Sequence, residues 1–491
     1  MPKTVLLASQ RPSDYVEMKR CALALAARGH TIQFIYHPIY GGQELDLPLL
    51  EDMRALEQSG KLSRIRVVEE RVRSKRMKPP KTEVAPKQLG WFKRQVARLR
   101  RPVLTALDRV LAIIKRPIAA AYLAWLYPQR LREYDTILKD FRPDIIILPE
   151  DVVGLVTPLL IKAGHRNDIP SLILPYTIAN QQEAFQSLRH YPSLDGWRWH
   201  NLWVVLCLRN WVMRQDGRTV IRLPVAHIIG HLLSGASPPD PWMMNSGYAN
   251  AIAVENQSMY DYYLSAGIPA SKMRVVGAVY DDTLAQFRLS KPAALTTLRN
   301  EIGIDNDKPL LLIGGCPDQT GSCPGFEFAD MKDFAARLAA AMIPLAADYQ
   351  VVVRPHPNYP ELGDMLRTHG FFITDTDTAR LVALSDGYIA FASATIRWAV
   401  SCGIPTINYD VFQYDYSDFK NTRSVCNVAN YTDFLRALAS LRLDGPELSS
   451  LRAMARAEAP RWGNLDGNSV TRIEALMGEL CAVKPVRRTA V

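Results

Sequence analysis

Five apolar runs of strand length decide the fold of this chain: PLLLIGG (309–315), QVVVRPHP (350–357), FFITD (371–375), GYIAF (387–391) and PTINYD (405–410). Segments of helical pattern, such as MKDFAARLAAAMIPLA (331–346), separate them. Unbroken apolar strands are buried on both faces, which is typical of a parallel sheet covered by helices. Five such strands alternating with helices within about 100 residues predict a Rossmann-like domain.

The first half of the sequence shows the same alternation of strands and helices. TVLLAS (4–9), a helix over 14–28 and a strand over Thr31–His37 predict a βαβ opening. Further strands are expected at 62–68, PDIIILPED (143–151), PSLILPYTI (170–178), HIIGH (227–231), ANAIAVEN (249–256) and MRVVGAVYDD (273–282). The Trp- and Arg-rich stretch Asp195–Arg222 is expected to be helical.

The length of the chain and its two series of alternating strands and helices together predict two domains. A chain of 491 residues is longer than a single domain with one hydrophobic core usually is. We expect an N-terminal Rossmann-like domain over 1–290, a second Rossmann-like domain over 305–460, and a C-terminal helix and tail over 461–491. A hinge is expected within Ala285–Pro309, where polar residues and prolines interrupt the periodicity.

Composition predicts a cytoplasmic protein. The sequence has no run of 18 apolar residues, so a spanning helix is not expected. The apolar run at the N-terminus stops at Ser9, too short for a signal-peptide core. The seven cysteines are scattered and odd in number, which suits a reducing compartment better than a disulfide framework.

One segment carries the positive charge of the chain. Residues 61–116 hold 18 Lys or Arg against four acids, whereas the whole chain has a net charge of +10. This basic run, which we expect to form an insertion over about 61–128, alternates with Trp91, Phe92 and Leu99. Such interleaving favours an anionic membrane surface as partner, with a solvated helical hairpin as an equal alternative. Signatures of nucleic-acid-binding motifs are lacking, so no nucleic-acid partner is expected.

The residues that follow each strand of the second half are the candidate ligand site, because ligands bind beyond the carboxyl ends of parallel strands. Gly314 and Gly315 let a backbone approach closely. In Arg354-Pro355-His356-Pro357, two prolines fix an imidazole that can bind a phosphate or a leaving-group oxygen. Ser393 and Thr395 open a helix and predict a phosphate site, although each is also an ordinary helix cap.

No metal or other cofactor is predicted. Asp375-Thr376-Asp377 has the form of a metal-binding DxD motif, but it directly precedes a helical segment, where Asp and Thr are ordinary caps.

The same edge of the first half holds polar residues of two kinds. Glu150 and Asp151 follow a buried strand and are candidate catalytic bases, with a helix N-cap as the alternative for Asp151. Glu255 occupies a similar position after another strand. Tyr176 follows a further strand and is a candidate acceptor contact. The polar cluster Asn180, Gln181, Gln182 and Glu183 suits sugar hydroxyls, although it could equally be a solvated loop.

These motifs resemble those of bacterial GT-B glycosyltransferases of surface-polysaccharide assembly, especially the CMP-sugar users of the Kdo and sialic-acid type. RPHP (354–357) resembles the His-Pro motif of that group, which implies that His356 contacts the nucleotide. SAT (393–395) is similar to its Ser/Thr motif, and PEDVVG (149–154) to its acidic motif with two residues inserted before Gly154. The resemblance implies two Rossmann-like domains facing each other across a cleft, and catalysis by Asp151, Glu150 and His356.

A second resemblance points to nucleotide-sugar 2-epimerases. ENQSMYDYYLSAGIPASKMRVVGAVYDD (255–282) is similar to a stretch of those enzymes. They carry a Glu-Ala pair that holds the uridine ribose, and the matching positions here are Trp398-Ala399. Trp cannot accept a hydrogen bond from ribose hydroxyls, so this position disfavours a UDP donor.

The sequence therefore predicts a metal-independent transferase that moves a sugar from a nucleotide donor, CMP-linked, to a capsule or lipopolysaccharide glycan or glycolipid. It would work in the cytoplasm, peripherally at the inner membrane. Three alternatives stay open: a UDP-sugar 2-epimerase, a CDP-glycerol phosphotransferase, and an inactive assembly subunit on the same fold.

Overall fold

The computed structural model of the chain describes residues 1–38, 47–68, 117–118, 120–175, 181–321, 323–415 and 419–482. Most of the basic run, including Trp91, Phe92 and Leu99, lies outside these ranges. Among the described helices, none is both long and apolar enough to cross a bilayer.

The first 302 residues alternate strands and helices as expected for a doubly wound sheet. In chain order the described elements are β1 Thr4–Ser9, α1 Pro12–Ala26, β2 Thr31–Tyr36, α2 Leu47–Gln58, β3 Arg64–Val67, α3 120–141, β4 Ile145–Leu148, α4 Thr157–Arg166, β5 Ser171–Ile173, α5 Gln181–Leu188, α6 Leu202–Cys207, β6 Val212–Gln215, β7 Arg218–Ile221, α7 Val225–Ser234, β8 Ala251–Val254, α8 Gln257–Ser265, β9 Met273–Val275, α9 Val279–Leu289 and α10 Lys291–Ile302.

Seven of these strands form the first sheet, in the order β3-β2-β1-β4-β5-β8-β9. β1 is an interior strand and is parallel to both neighbours, with Leu7 opposite Phe34 of β2 and Ile147 of β4. The strand order reverses at β1, which is the arrangement of a Rossmann-like sheet. Every residue of β4 is buried, as its unbroken apolar sequence predicted.

Three predictions for the first half were wrong. The strand expected over 273–282 ends at Val275, and α9 begins at Val279. HIIGH does not form a strand but lies within helix α7, whose end is capped by Gly235 at φ 62°. Asp195–Arg222 is not one helix, because it contains the short helix α6 and the antiparallel pair β6–β7. Asp216 and Gly217 join that pair with φ of 52° and 70°, the left-handed values of a two-residue hairpin turn.

The remaining residues build the second sheet and its helices. In chain order the described elements are β10 Leu310–Gly314, α11 Met331–Ala346, β11 Gln350–Arg354, α12 Glu361–Arg367, β12 Phe372–Ile373, α13 Thr378–Leu384, β13 Gly387–Ala390, α14 Ile396–Ser401, β14 Thr406–Tyr409, β15 Val425–Val428, α15 Tyr431–Ala439, α16 Pro446–Trp462 and α17 Ser469–Ala482.

The second sheet is parallel throughout, in the order β12-β11-β10-β13-β14-β15. Its five predicted strands are confirmed, and β15 is an additional edge strand. Alternate residues of β10 enter different cores: Leu311 and Ile313 pack with α11, whereas Leu310 and Leu312 pack with α13. The sheet is therefore covered on both faces, as its continuous apolar strands require.

By internal packing, the described chain divides into two compact units. The first comprises Met1–Ile173, Ala179–Ile252 and the end of α17 from Leu480, and the second comprises Ala253–Glu479 with a short stretch from Leu174. The segment expected to be a hinge is occupied by α9 and α10, and Pro292 lies in the first turn of α10. The domain limits of 1–290 and 305–460 stay predictions.

A buried charge network around Arg397 joins four elements of the second unit. The Arg397 guanidinium lies 2.9 Å from Glu255 at the end of β8 and 2.9 Å from Asp281 in the first turn of α9. It also donates to the Tyr280 hydroxyl at 2.8 Å and to the carbonyl oxygen of Trp462 at 2.7 Å. Tyr280 in turn donates to Glu255 at 2.8 Å. The network thus fixes α14 against α9, α16 and the end of β8.

Removing the central cation should be costly, because two buried carboxylates would lose their counter-charge. Arg397→Met is expected to lower the free energy of unfolding by about 3–5 kcal/mol. Urea denaturation of both proteins measures the difference. Arg436→Met is the matched control, since the Arg436 side chain is 76% exposed in its pair with Asp433 and should cost about 0–1 kcal/mol. Similar losses in the two variants would contradict a central role for the network.

Candidate functional site

The candidate nucleotide residues of the second unit lie where its strand order reverses. β10 and β13 are neighbours, and the chain winds outward from them in both directions. Gly314 and Gly315 end β10, and Ser393 and Thr395 follow β13. This edge of a Rossmann-like sheet is the usual place for a ligand.

Gly315 brings the end of β10 against the Arg354–Pro357 loop. Its N–H donates to the carbonyl oxygen of Arg354 at 2.8 Å. An added Cβ would lie 2.8 Å from the backbone nitrogen of His356, so no larger residue fits without displacing that loop. The two motifs that the sequence proposed separately are therefore in direct contact.

His356 has a defined tautomer. Its Nδ1 lies 3.1 Å from the backbone N–H of Asn358, which donates to it. In the neutral ring Nε2 therefore carries the proton. Burial and the adjacent positive charge of Arg354 lower the pKa of His356, which favours this neutral form. His356 can thus offer one N–H donor to a ligand at the end of β11.

Arg354 uses its guanidinium to hold backbone. Its Nε donates to the carbonyl oxygen of Thr376 at 3.0 Å, and its second nitrogen donates to that of Pro355 at 2.6 Å. The Arg354 side chain therefore ties the loop after β12 to the loop after β11.

A cavity of about 540 Å³ lies beside His356, a volume within the range of small-molecule sites. Besides Arg354 and His356, its lining includes one more cation, Arg367, and three carboxylates, Glu301, Asp364 and Asp375. Arg367 is paired with Asp364 at 2.6 Å. The described lining thus has two cations against three acids and is not a cationic pocket.

Ser393 and Thr395 are bonded to each other at the start of α14. Their hydroxyls lie 2.8 Å apart, and that of Thr395 is 2.5 Å from the Tyr388 hydroxyl. Helix α14 has only six residues. Ala392, just before them, adopts φ 49°, an uncommon value for a residue with a side chain. The Ala392 N–H donates to the Asn408 side chain at 2.9 Å, so neighbouring side chains fix this loop on both sides of Ser393.

Asp377 has the capping position that the sequence predicted. Its side chain accepts from the backbone N–H of Arg380 and begins α13. Asp375 lines the cavity beside His356.

The two candidate bases of the first unit have different surroundings. The Glu150 carboxylate is buried and lies 2.6 Å from the Arg11 guanidinium. Burial raises the pKa of Glu150 to about 7, although the positive charge of Arg11 opposes this shift. A carboxyl that titrates near neutrality is suited to general base catalysis.

Asp151 binds backbone groups. Its carboxylate accepts from the N–H groups of Ser246 at 2.5 Å and Tyr248 at 3.0 Å. Burial raises the pKa of Asp151 to about 6 in spite of these hydrogen bonds. The alternative assignment of Asp151 as a helix cap is wrong, since α4 begins at Thr157 with Val156 as its N-cap. Asp151 instead ties residues 246–248 to the end of β4.

Three further polar residues at this edge were missed from the sequence. His37 follows β2, and its N–H donates to the carbonyl oxygen of Ser9 at 3.0 Å, so Ser9 and Gln10 lie beside it. All three side chains are buried. Within the described structure, the Ser9 hydroxyl, the Gln10 amide nitrogen and both His37 ring nitrogens have no hydrogen-bond partner. Buried groups of this kind normally bind water or a ligand.

The position of these residues was a usable signal. Ser9 ends β1, Gln10 follows it and His37 follows β2, at the edge that also carries Glu150, and polar residues at strand ends are candidate ligand contacts whether or not they are carboxylates. Burial and the charge of Arg130 lower the pKa of His37 to about 3, so its ring is neutral.

The predicted acceptor residues are only partly described. Tyr176 and Asn180 lie outside the described residues, and Glu183 lies in α5. Gln181 begins α5, and its amide donates to Asp240. The other strand-end carboxylate, Glu255, is part of the Arg397 network.

Comparison with solved structures identifies the fold. CalG4, the calicheamicin glycosyltransferase, matches with a TM-score of 0.52 at 14% identity, covering 99% of this chain and 100% of that one. UGT73P12 of Glycyrrhiza uralensis, complexed with glycyrrhetinic acid 3-O-monoglucuronide, matches with a TM-score of 0.51 at 11% identity, covering 98% and 96%. A protein assigned as UDP-N-acetylglucosamine 2-epimerase from Listeria monocytogenes matches with 0.50 at 10% identity, covering 98% and 96%.

No family model matches the sequence, and no curated protein sequence matches it. The structural likeness nevertheless extends over almost the whole chain. The chain therefore has the α/β GT-B fold with its two Rossmann-like sheets, as the sequence predicted.

The raised pKa of Glu150 predicts a pH dependence of stability. The pKa is about 7 in the folded chain against an ordinary 4.5, so the folded state binds this proton more tightly. Its stabilising contribution is full below about pH 4.5 and is lost as the pH rises through about 7. Glu150→Gln removes this titration. Between pH 5 and 8 the free energy of unfolding should therefore fall less in the variant than in wild type, by on the order of 2–3 kcal/mol.

Urea denaturation across this pH range measures the effect. Glu447→Gln, which removes an exposed carboxyl from α16, is the matched control and should follow the wild-type curve. Parallel curves for wild type and Glu150→Gln would show that Glu150 does not titrate as described.

Proposed function

We propose that this protein is a glycosyltransferase that moves a sugar from a nucleotide-activated donor to a glycan or glycolipid acceptor. The observation that carries the proposal is His356, a neutral imidazole with a free N–H donor at the carboxyl edge of a Rossmann-like sheet, beside a cavity of about 540 Å³. The fold that the chain shares with the calicheamicin glycosyltransferase CalG4, and with UGT73P12 in complex with a glucuronide, supports the proposal.

The donor would bind in the second unit. His356 would donate through Nε2 to a phosphate oxygen, so that the nucleotide leaves more easily when the bond between the anomeric carbon and the phosphate oxygen breaks. Gly314 and Gly315 would let the phosphate approach the backbone, with Ser393 and Thr395 offering hydroxyls. Arg354 and Pro357 would hold the loop that carries His356.

Charge favours a CMP-linked donor over a UDP-linked one. A sugar joined through one phosphate carries less negative charge than one joined through a diphosphate. The described cavity lining has two cations and three acids, and two nitrogens of the Arg354 guanidinium donate to carbonyl oxygens. Such a site neutralises little charge, which suits a monophosphate link. The proposal therefore includes no essential metal or other cofactor.

The acceptor would bind in the first unit, where Glu150 is the better candidate base. Its partner is the Arg11 side chain, which can move, whereas Asp151 is held by backbone N–H groups. Glu150 would take the proton of the acceptor hydroxyl as that oxygen bonds to the anomeric carbon and the nucleotide departs with the electron pair. The unpartnered groups of Ser9, Gln10 and His37 would bind neighbouring hydroxyls.

The acceptor and setting follow from the sequence resemblance. We propose a capsule or lipopolysaccharide glycan, built in the cytoplasm by an enzyme lying peripherally on the inner membrane. The basic run over 61–128 would attract anionic lipid. Tyr176, Asn180, Gln181 and Glu183 stay candidate acceptor contacts.

A UDP-sugar 2-epimerase is the second candidate, favoured by the likeness to the Listeria monocytogenes protein. Trp398 speaks against it, because its ring packs on Tyr280 at 5.0 Å between centroids and offers no acceptor for ribose. Incubation with UDP-N-acetylglucosamine alone separates the two functions, since an epimerase needs no acceptor.

Nucleotide binding tests the donor site. CMP at about 100 times its dissociation constant should stabilise the protein by about 2.7 kcal/mol. His356→Ala should weaken this binding by about one to two orders of magnitude, because a hydrogen bond to a charged group is lost. Thermal unfolding with CMP, CDP, UDP and GDP in excess EDTA measures both effects.

The matched control is His369→Ala, an exposed histidine after α12 and outside the described cavity lining. It should bind CMP like wild type. Equal CMP stabilisation in His356→Ala and wild type would remove His356 from the site, and a need for metal would overturn the charge argument.

Turnover tests the proposed base. With Glu150→Gln, nucleotide binding should persist while transfer falls by roughly 10²–10⁴-fold, the typical cost of losing a general base. The measurement is sugar transfer from the donor that the binding assay selects. Asp151→Asn should mainly lower stability; if its turnover falls further than that of Glu150→Gln at equal folding, Asp151 is the base instead.

A further inference from the structure

An exposed aromatic surface lies on the first unit between β5 and β6. Trp197 is 65% exposed, Trp199 is 84% exposed and Leu206 is 73% exposed. Leu202 lies one helical turn before Leu206 on the same face of α6 and is also exposed. We call Trp197, Trp199, Leu202 and Leu206 the Trp199 surface.

The backbone beneath the Trp199 surface is well fixed. The Asn201 amide donates to the carbonyl oxygens of Ser193 at 3.1 Å and Asp195 at 2.7 Å. On the opposite side of α6, Val204 and Val205 are buried in a core with Trp211. The large side chains therefore project from an anchored segment, not from a loose loop.

The same segment is positively charged. Residues 195–222 hold five Arg against two Asp, and the three arginines nearest in sequence to the Trp199 surface are Arg198, Arg209 and Arg214. All three arginines are exposed. Indole rings beside cations on an exposed surface are typical of proteins that lie in the interface of a bilayer.

Packing connects this region to the start of α3, which overlaps the end of the basic run in the chain. The rings of Tyr127 in α3 and His231 in α7 are 4.8 Å apart, and His231 is 5.3 Å from Trp211, which follows α6. Tyr122 and Trp125 at the start of α3 are exposed and stacked, with 5.9 Å between ring centroids.

We propose that the Trp199 surface docks the protein onto an anionic lipid bilayer by inserting Trp197 and Trp199 at headgroup depth. Apolar rings give the affinity, and Arg198, Arg209 and Arg214 attract the negative headgroups. The inference rests on the membrane partner of the proposed function, but lipid binding requires neither nucleotide nor acceptor. A failure here would therefore leave the donor-site result intact, and the reverse also holds.

The experiment is flotation of the full chain with vesicles of phosphatidylcholine, with and without 30% phosphatidylglycerol. The wild-type protein should bind the anionic vesicles, and binding should weaken as salt rises. The variant Trp197→Ser with Trp199→Ser should lower the partition coefficient by about tenfold or more while keeping the melting temperature and CMP binding.

Leu289→Ser with Ile343→Ser is the matched control, since these residues of the second unit are 83% and 69% exposed. It should bind vesicles like wild type. Equal vesicle binding by the Trp variant and wild type would overturn the proposal. A wild-type dimer that becomes a monomer in the Trp variant, with no vesicle binding by either, would assign the surface to a second copy of the chain and also overturn it.

Discussion

The geometry of the second unit depends on one buried cation. Arg397 lies in the first turn of α14, directly after the loop that carries Ser393 and Thr395. Its contacts with Glu255, Asp281 and the carbonyl oxygen of Trp462 join elements far apart in the chain. A buried ion network contributes little net stability compared with apolar packing of the same volume. It does restrict how the elements that carry its charges can pack, because a displaced charge would lose its partner. Its main consequence is therefore a fixed position for the loop after β13.

Burial and hydrogen-bond partners separate structural acids from candidate chemical ones. Glu255, Asp151 and Asp377 all follow strands or precede helices, as catalytic carboxylates do. Glu255 binds Arg397, Asp151 binds backbone N–H groups, and Asp377 caps α13. Glu150 differs, because its partner Arg11 is a side chain that is 31% exposed. Position at a strand end thus marks a carboxylate as a candidate catalytic group. The partner that its side chain binds then separates structural carboxylates from candidate catalytic ones.

The sequence predicted the second sheet well and the first less well, for a physical reason. Apolar runs such as those ending at Gly314 and Ala390 are too short for helices and too continuous for half-buried strands. HIIGH has the same composition but belongs to a ten-residue helix, and Gly235 was the signal for its end. Likewise Asp216-Gly217 is a strong hairpin signal inside a stretch that was interpreted as one helix.

The site could be predicted only in part, because contacts between strand ends decide what each residue can do. The sequence placed Arg354 and His356 together but could not show their partners. Two nitrogens of the Arg354 guanidinium donate to carbonyl oxygens, whereas the His356 imidazole can donate through Nε2 to a ligand. A site with one neutral donor and few cations available to a ligand selects its ligand by shape more than by charge. A phosphate with a single negative charge loses less on leaving water than a diphosphate does, so it needs less compensation. Under the proposed function, the hydrogen bonds of Arg354 to carbonyl oxygens therefore bear on the choice of donor together with His356.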